Sequence, residues 1–556
     1  MQTTACPLDC FDACEVDVVD GVCKPSKTNP ITNGKLCRLF GYLQNEKQIQ
    51  AKTSLNEALD TLVEKLKTPN QNVLYYKGSG NMGVMQNAPK LFFDKYGATF
   101  THGGLCDEAG CYGIEQSRGR CVNPPIQNLI NSDVVIVWGR NLTVTSPHIY
   151  NMVKDKTIIT IDPVKTQIAK ESVLHIQLKP KTDHLLAVLL ARLAYTECLD
   201  DQEFIENNTQ EYEWFYEMTQ GVRINKSLKA IGTSIKELAD FFSILVDKKV
   251  AILAGLGMQK YIEGEQIMRT LDAFAATLGL FNKDAGGFWY FGSSDFPFDN
   301  PFNIKPKNTV ARPAVDFANY DICFIQGANP VLSNPNTQRV IDGLKNTYVV
   351  FFGTTDNETA QYADLIIPAK TFLQKKDVRL SYGHDEIVAC DVIHHSDEHI
   401  SEYEFTQYLF DAFNMDGLKS EDELLDCFKV PLRDKPIVQS FEFIEELDIA
   451  TLHRGVGDRF FLLTSKHKNS ICSQFKTDPY LYIHSANGFL EAQKVLAKTS
   501  VGEMEFEVKT DDDLRHDCIL LYSGSNVNYL TSHQISDESH SATYQDIIVQ
   551  LEKVEN

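Results

Sequence analysis

No stretch of this chain is apolar for long enough to cross a bilayer. Its longest apolar runs, "HLLAVLLARLAY" and "DVVIVW", fall well short of the roughly 20 residues a spanning helix needs, and read as a buried helix and a buried strand. Also missing are a positively charged leader, a twin-arginine stretch and an apolar signal core, since only "MQTTA" precedes the first cysteine. The expectation is a cytoplasmic protein without a membrane span. Positive charge is scarce as well: 53 Lys and Arg face 75 Asp and Glu, a formal balance of −22. Such a surface repels polyanions, so nucleic acid is not an expected partner. Low-complexity segments and short-period repeats are absent too.

What is present begins with length. At 556 residues the chain exceeds what one growing hydrophobic core supports, so several domains are expected. Fourteen cysteines in a reducing compartment do not read as a disulfide framework. Cys198, Cys323, Cys390, Cys427, Cys472 and Cys518 each stand alone in apolar or mixed segments and are expected to be small buried hydrophobes.

The amino-terminal thiols differ. "TACPLDCFDACEV" sets Cys6, Cys10 and Cys14 in a C-x3-C-x3-C run, with Cys37 further on in "NGKLCRLFGY". Four thiolates suit a cubane iron–sulfur cluster, whereas structural zinc usually takes paired, close-spaced ligands from two knuckles. Cys23 falls in "EVDVVDGVCKP", which reads as a hairpin turning at Asp20 and Gly21. Folding that hairpin returns Cys37 to the first three thiols, so the expected ligand set is Cys6, Cys10, Cys14 and Cys37, with Cys23 packing in its strand.

Downstream, "SLNEALDTLVEKLK" has helical apolar spacing behind a Ser54 cap. Apolar strands then alternate with helices: "NVLYYKGSG", "DVVIVWGRN", "TIITIDP", "KKVAILAGLG", "DICFIQGANP" and "TYVVFFGTT". This pattern predicts parallel sheets covered on both faces, an α/β class of multidomain protein. These strands end in small or polar turns: Gly78 to Gly80, Gly139 to Asn141, Asp162 with Pro163, Gly255 with Gly257, Gly327 to Asn329, and Gly353 to Thr355. Ligands of doubly wound sheets bind beyond such carboxyl ends, where glycine admits phosphate close to the backbone. "GSGNMG" imitates a dinucleotide fingerprint without the ribose-binding acid at its usual place. From about Arg459 on, strands and turns predominate, as in a β-rich domain.

Taken together, "CPLDCFDAC", "SDVVIVWGRNLTVTSPH", "IDPVKTQIAK", "LKPKTDHLLAVLLA", "GLGMQKYIEGEQIMRTLDAF", "IQGANPVLSNPN", "TDNETAQYADLIIPA" and "NYLTSHQISD" resemble, in order, the molybdenum or tungsten bis-pterin oxidoreductases of the dimethyl sulfoxide reductase superfamily. The resemblance implies an amino-terminal [4Fe-4S] domain over 1–48, an α/β domain split between 49–130 and 331–430, a second doubly wound α/β domain over 131–330, and a carboxyl-terminal β-barrel over 455–556. It implies two molybdopterin guanine dinucleotides with molybdenum or tungsten. Gly139, Arg140, Asn141 and the strand end at Gly255 would contact one cofactor, with Asp162 and Thr166 toward its guanosine and Thr182 and Asp183 at a guanine-binding position. Gly327, Asn329, Pro330, Glu358, Thr359 and Asp364 would serve the second. Thr464, His467, Ser470, Asn528 and Thr531 would be barrel contacts.

The resemblance also implies a protein ligand to the metal. Cys106 in "THGGLCDEAGCYG" is the candidate, with Cys111 and Cys121 as competitors. The chain departs from the family pattern in two places. Leu39, next to Arg38, stands where a lysine often relays electrons from cluster to pterin. Asp107 stands where formate dehydrogenases place histidine, leaving His384 as a histidine that could reach the site. The implied activity is two-electron redox chemistry on a small molecule, such as oxygen-atom or thiosulfate/polysulfide-type reduction, with a ferredoxin-like or flavin protein as electron partner. The alternatives are formate oxidation, a non-redox tungsten hydratase using Asp9, and a metal-free electron-transfer subunit.

Overall fold

Alternating valines and a two-residue turn make the first element. In the computed structural model, which describes residues 2–43, 47–292, 298–429, 438–455, 457–470 and 477–554, strand Glu15–Val19 pairs antiparallel with Val22–Pro25 on one side and Gln2–Ala5 on the other. Asp20 and Gly21 both take positive φ, 53° and 75°, as a tight hairpin turn requires. Cys472 lies outside the described residues.

The apolar strands form two all-parallel sheets. A five-stranded sheet has the order Gly287–Trp289, Val250–Ala254, Val134–Trp138, Thr157–Ile161, Leu174–Ile176. A six-stranded sheet has the order Asn308–Ala311, Thr99–His102, Val73–Lys77, Ile322–Gln326, Tyr348–Gly353, Leu365–Pro368. Both faces are covered, which is why the strands read as continuous apolar runs. Val134, Ile136 and Trp138 enter one core while Val135 and Val137 enter another. Likewise Ile322 and Phe324 face one way and Cys323 and Ile325 the other.

One expected boundary moves. Strand Ile322–Gln326, assigned by the resemblance to the 131–330 unit, hydrogen-bonds instead between Val73–Lys77 and Tyr348–Gly353, and Asn308–Ala311 pairs with Thr99–His102. Backbone pairing, not contiguity along the chain, therefore returns residues from 308 on to the split sheet.

After the two sheets, strands Arg459–Ser465, Cys518–Tyr522, Leu481–Ile483, Glu503–Thr510, Lys494–Lys498 and Ile548–Lys553 close a six-stranded barrel. Its interior is filled by Phe460, Leu462, Val495, Val508, Ile519 and Val549. Among the described residues no helix is long and apolar enough to cross a membrane.

In each sheet the chain starts in the middle and leaves in both directions. The switch points lie between Val134–Trp138 and Val250–Ala254 in one sheet, and between Val73–Lys77 and Ile322–Gln326 in the other. Crevices at the carboxyl ends of such points are where doubly wound sheets take ligands. Here both open into one cavity of 1730 Å³.

Candidate functional site

The two switch points are built alike. A Cβ on Gly255 would lie 1.8 Å from the Gly139 carbonyl oxygen, and one on Gly78 would lie 2.3 Å from that of Gly327. In each sheet, then, two strand ends touch backbone to backbone, and Gly139 and Gly327 turn away with φ of 61° and 52°. An asparagine follows two residues later in both: Asn141 before helix Leu142–Thr145, and Asn329 before helix Pro330–Ser333. Thr143 Oγ1 donates to Asn141 Oδ1 at 2.6 Å and Thr359 Oγ1 to Asn329 Oδ1 at 2.9 Å.

The surroundings of the cradles differ in charge. At the five-stranded end Asp162 and Asp183 line the cavity. Burial, with Asp183 nearby, pushes the Asp162 carboxyl up to about 7, although the Val164 N–H donates to it. Burial pushes Asp183 up to about 6, opposed by a 2.8 Å hydrogen bond from Trp138 Nε1. Two carboxyls with no cation beside them suit a ligand that presents N–H donors. At the six-stranded end the lining is mixed, with Lys77, Lys90 and Arg312 on the wall together with Asp356, Glu358 and Glu402.

Most residues implied by the resemblance meet on this cavity. Cys106, Gly139, Arg140, Asn141, Asp162, Thr166, Asp183, Gly255, Gly327, Asn329, Glu358, Thr464, His467 and Asn528 all line it. Others sit one layer behind. Thr359 holds Asn329, Thr531 Oγ1 donates to Asn528 Oδ1 at 2.9 Å, Thr182 Oγ1 donates to Lys179 O at 2.6 Å, Ser470 N–H donates to His467 O, and Pro330 is buried at the start of its helix.

Asp364 is placed elsewhere. Its carboxylate accepts from the Val349 N–H at 2.8 Å, at the amino end of strand Tyr348–Gly353. A parallel crossover has to bring the chain back to that end before Leu365–Pro368 can begin, so Asp364 is carried away from the cavity.

Cys106 follows strand Thr99–His102 and is the only cysteine lining the cavity among the described residues. Lys260 Nζ donates to Leu105 O at 2.9 Å and also to Cys106 O, and Gln259 Nε2 donates to Cys106 O. Burial, then the neighbouring Asp107, pushes its thiol up to about 11, against the pull of Lys260. Cys111 and Cys121 instead face each other in the core beneath helix Glu108–Arg118. Gln259 and Lys260 lie inside "GLGMQKYIEG", a strand-end loop whose glycines drew attention first. A lysine beside apolar residues at a strand end was the available signal.

The amino-terminal thiols come together as well. Cys6, Cys14, Cys10 and Cys37 share one small cluster with Leu8, Val16, Leu39 and Phe40. Burial and the proximity of the other thiols raise Cys6 to about 12, and Cys10 and Cys14 rise too. Thiols so placed need cationic partners to ionise. Among the described residues no three His, Cys, Asp or Glu side chains converge closely enough for a single ion.

The cysteine segment is tied down from outside. Asp12 accepts from His148 Nδ1 at 2.9 Å and from Ser146 Oγ, and Arg379 donates to Leu8 O and Cys10 O, each at 3.2 Å. His384 belongs to this framework: its Nε2 meets Asp12 O at 2.9 Å and its Nδ1 accepts from Glu386 N–H. It is fully buried away from the cavity lining, so it does not reach the site. Arg38 points to the barrel loop, bonding Lys468 O and Asn469 Oδ1 at 2.5 Å.

Between thiols and cavity stand Asp9, Phe11 and Arg140. Phe11 stacks on Phe291 at 4.4 Å, the Arg140 guanidinium lies 5.1 Å and 4.9 Å from their rings, and Tyr382 OH donates to Asp9 Oδ1 at 3.1 Å.

Residues 52–386 match the family model described as Molybdopterin oxidoreductase. Among curated proteins the chain is 26% identical over 440 residues to the probable oxidoreductase YyaE of Bacillus subtilis, covering 69% of this chain and 64% of that protein. It is 24% identical over 411 residues to the F420-dependent formate dehydrogenase subunit alpha of Methanocaldococcus jannaschii, covering 63% and 60%. The chain thus spans less than two thirds of the length of each of these two relatives. Among solved structures it is similar to acetylene hydratase from Pelobacter acetylenicus, with a TM-score of 0.77, 15% identity and full coverage of both chains.

Proposed function

Since the chain belongs to the molybdopterin oxidoreductase family, and is thus an enzyme built on a molybdenum- or tungsten-bearing pterin, we propose that it reduces a small oxo or sulfur compound by two electrons. Cys6, Cys10, Cys14 and Cys37 would hold a [4Fe-4S] cluster, which would supply single-electron transfer, with a ferredoxin-like or flavin protein in the cytoplasm as the electron donor. The substrate takes up two electrons and two protons and leaves as its reduced form with water or hydrogen sulfide. The observation that carries this reading is Cys106, set on the cavity between two glycine cradles, with the thiol cluster separated from that cavity by Phe11 and Arg140.

The residues fit the groups. Two cradles with no Cβ between their strand ends suit two extended phosphate-bearing ligands, and 1730 Å³ exceeds the roughly 300–1,000 Å³ of an ordinary small-molecule pocket. Cys6, Cys10, Cys14 and Cys37, gathered with Cys23 in one packing group, supply the four thiolates that a multi-iron cluster takes. The metal–pterin supplies, when bound, a centre that changes oxidation state by two. The chain does the rest. Gly139–Asn141 and Gly327–Asn329 hold the cofactors, Cys106 Sγ is the protein ligand, and Gln259 and Lys260 fix the loop carrying it. Asp9 Oδ1 accepts from the Tyr382 hydroxyl, which fixes that carboxyl at the cavity wall.

That Asp9 position favours a second reading, a non-redox hydratase in which its carboxyl handles the proton of water. Formate oxidation is disfavoured, because His384 is spent on backbone groups. Metal, iron and pterin analysis of anaerobically purified protein, with metal spectroscopy of wild type and Cys106→Ser, tests the assignment. The expected result is two pterins, four irons and a metal signal altered by the substitution, with turnover reduced at least about a hundredfold, as befits loss of a ligand (about 2.7 kcal/mol). Turnover without any electron donor would select the hydratase, and an unchanged metal signal would remove Cys106 from the site.

A further inference from the structure

Three neighbouring strands of the six-stranded sheet, Asn308–Ala311, Thr99–His102 and Val73–Lys77, bring a cation to each flank of the loop that carries Cys106. Lys77 ends one outer strand and Arg312 follows the other, where Ala311 is paired with His102. Lys90 joins them from helix Ala88–Tyr96. All three line the cavity.

Other buried cations of this chain meet either backbone carbonyls, as Arg140, Lys260 and Arg379 do, or carboxylates. Lys181 meets Glu263 at 2.7 Å and Asp546 at 3.0 Å, Lys375 meets Glu402 at 2.5 Å, and Arg118 meets Asp272. Lys77, Lys90 and Arg312 have no ion-paired carboxylate among the described residues. Lys77 Nζ reaches only Gly78 O at 3.0 Å, and Arg312 Nε reaches Thr101 Oγ1 at 3.2 Å with its guanidinium over the Tyr76 ring. Burial, with Lys90 and Arg312 beside it, holds Lys77 down to about 7, and burial with Arg312 holds Lys90 down to about 8. The acidic groups facing them are Glu402, already taken by Lys375, and Glu108, toward Arg312; burial, then His540 and Arg312, hold the nearby His102 imidazole below its ordinary value. An uncompensated cation group inside a chain of net charge −22 calls for an anion.

We propose that Lys77, Lys90 and Arg312 form a binding site for a small oxyanion on the six-stranded-sheet wall of the cavity that Cys106 also lines, which makes the substrate anionic. The identification of the bound anion as substrate rests on the proposed function; the site itself does not. The test is calorimetric titration of the anaerobic holoenzyme with sodium sulfate, with pterin, metal and iron assayed on the same preparations. Saturable sulfate binding at pH 6.5 is expected, weakened at least tenfold in Lys90→Gln and in Arg312→Gln, restored in large part by Lys90→Arg, with cofactor content unchanged.

Absence of saturable binding, or binding unaltered in both glutamine variants, would overturn the site. So would loss of pterin in those variants, since the cations would then belong to cofactor phosphates. Wild-type protein that lacks pterin yet binds sulfate through these residues would sink the proposed function and leave the site standing. Fully loaded protein that ignores sulfate would do the reverse.

Discussion

The five-stranded and six-stranded sheets end in the same backbone device and in different ionisable side chains. Both meet the cavity with paired glycines, a left-handed turn and an asparagine secured by a threonine hydroxyl. One sets Asp162 and Asp183 on the wall with Arg140, the other sets Lys77, Lys90 and Arg312 with Glu358 and Glu402. The difference teaches that the two functions of a strand end separate cleanly. Close approach to a ligand is a property of backbone without Cβ and is repeated, whereas recognition of the ligand's edge or charge is a property of neighbouring side chains and diverges.

The strongest challenge to this comparison is steric. Gly255→Ala and Gly78→Ala each force a Cβ against a carbonyl oxygen, at 1.8 Å and 2.3 Å, and backbone cannot yield as a side-chain tip does. Each should cost about 3 kcal/mol, the upper part of the overpacking range, and empty its own half of the cavity. Urea midpoints and pterin content per protein measure both. If one variant is benign, the two cradles are not equivalent.

Charge sharpens the contrast through pH. Asp162 is raised in the folded state to about 7 from 3.8, so the folded protein binds the extra proton between those values. The stability of cofactor-free protein should therefore fall as pH rises from about 4 to 7, by a few kcal/mol from this group at most, and Asp162→Asn should reduce that slope, leaving the part due to Asp183 and Asp377. Lys77 is lowered to about 7 from 10.5, so there the unfolded chain binds the extra proton. Stability should rise between about pH 7 and 10, and Lys77→Met should reduce that slope, leaving the part due to Lys90 and Lys260. Thermal unfolding across pH 4–10 reads both; slopes of like sign would contradict the division.

The smallest effect concerns the hydroxyls behind the asparagines. Thr143→Val and Thr359→Val each delete a hydrogen bond to the amide that follows the cradle, and each should cost about 1 kcal/mol. Calorimetric midpoints lowered by similar small amounts are expected, with the buried Thr359 the more costly of the two.

Much of this architecture was legible in the chain. Continuous apolar strands implied two covered parallel sheets, strand-end glycines marked the side where ligands belong, and the C-x3-C-x3-C run with Cys37 was readable as one cluster. Other features depended on how the chain returns. Asp364 stands six residues after Glu358, yet a crossover takes it to the opposite end of the sheet. His384 looked free to serve the site and is instead held to Asp12 O. Strand Ile322–Gln326 changed sheets because its partners lie about 250 residues upstream and only some 25 downstream.

By itself, then, the sequence determined the layers, the glycine-ended strands and the supply of thiols, because periodicity, apolar run length and spacing are local properties. Tertiary structure alone decided that Cys106 faces the cavity while Cys111 and Cys121 face the core, and that Lys77, Lys90 and Arg312 line the cavity without an ion-paired carboxylate among the described residues. Those outcomes depend on which distant strands pair and on what burial removes from water, and neither is written in the neighbourhood of any one residue.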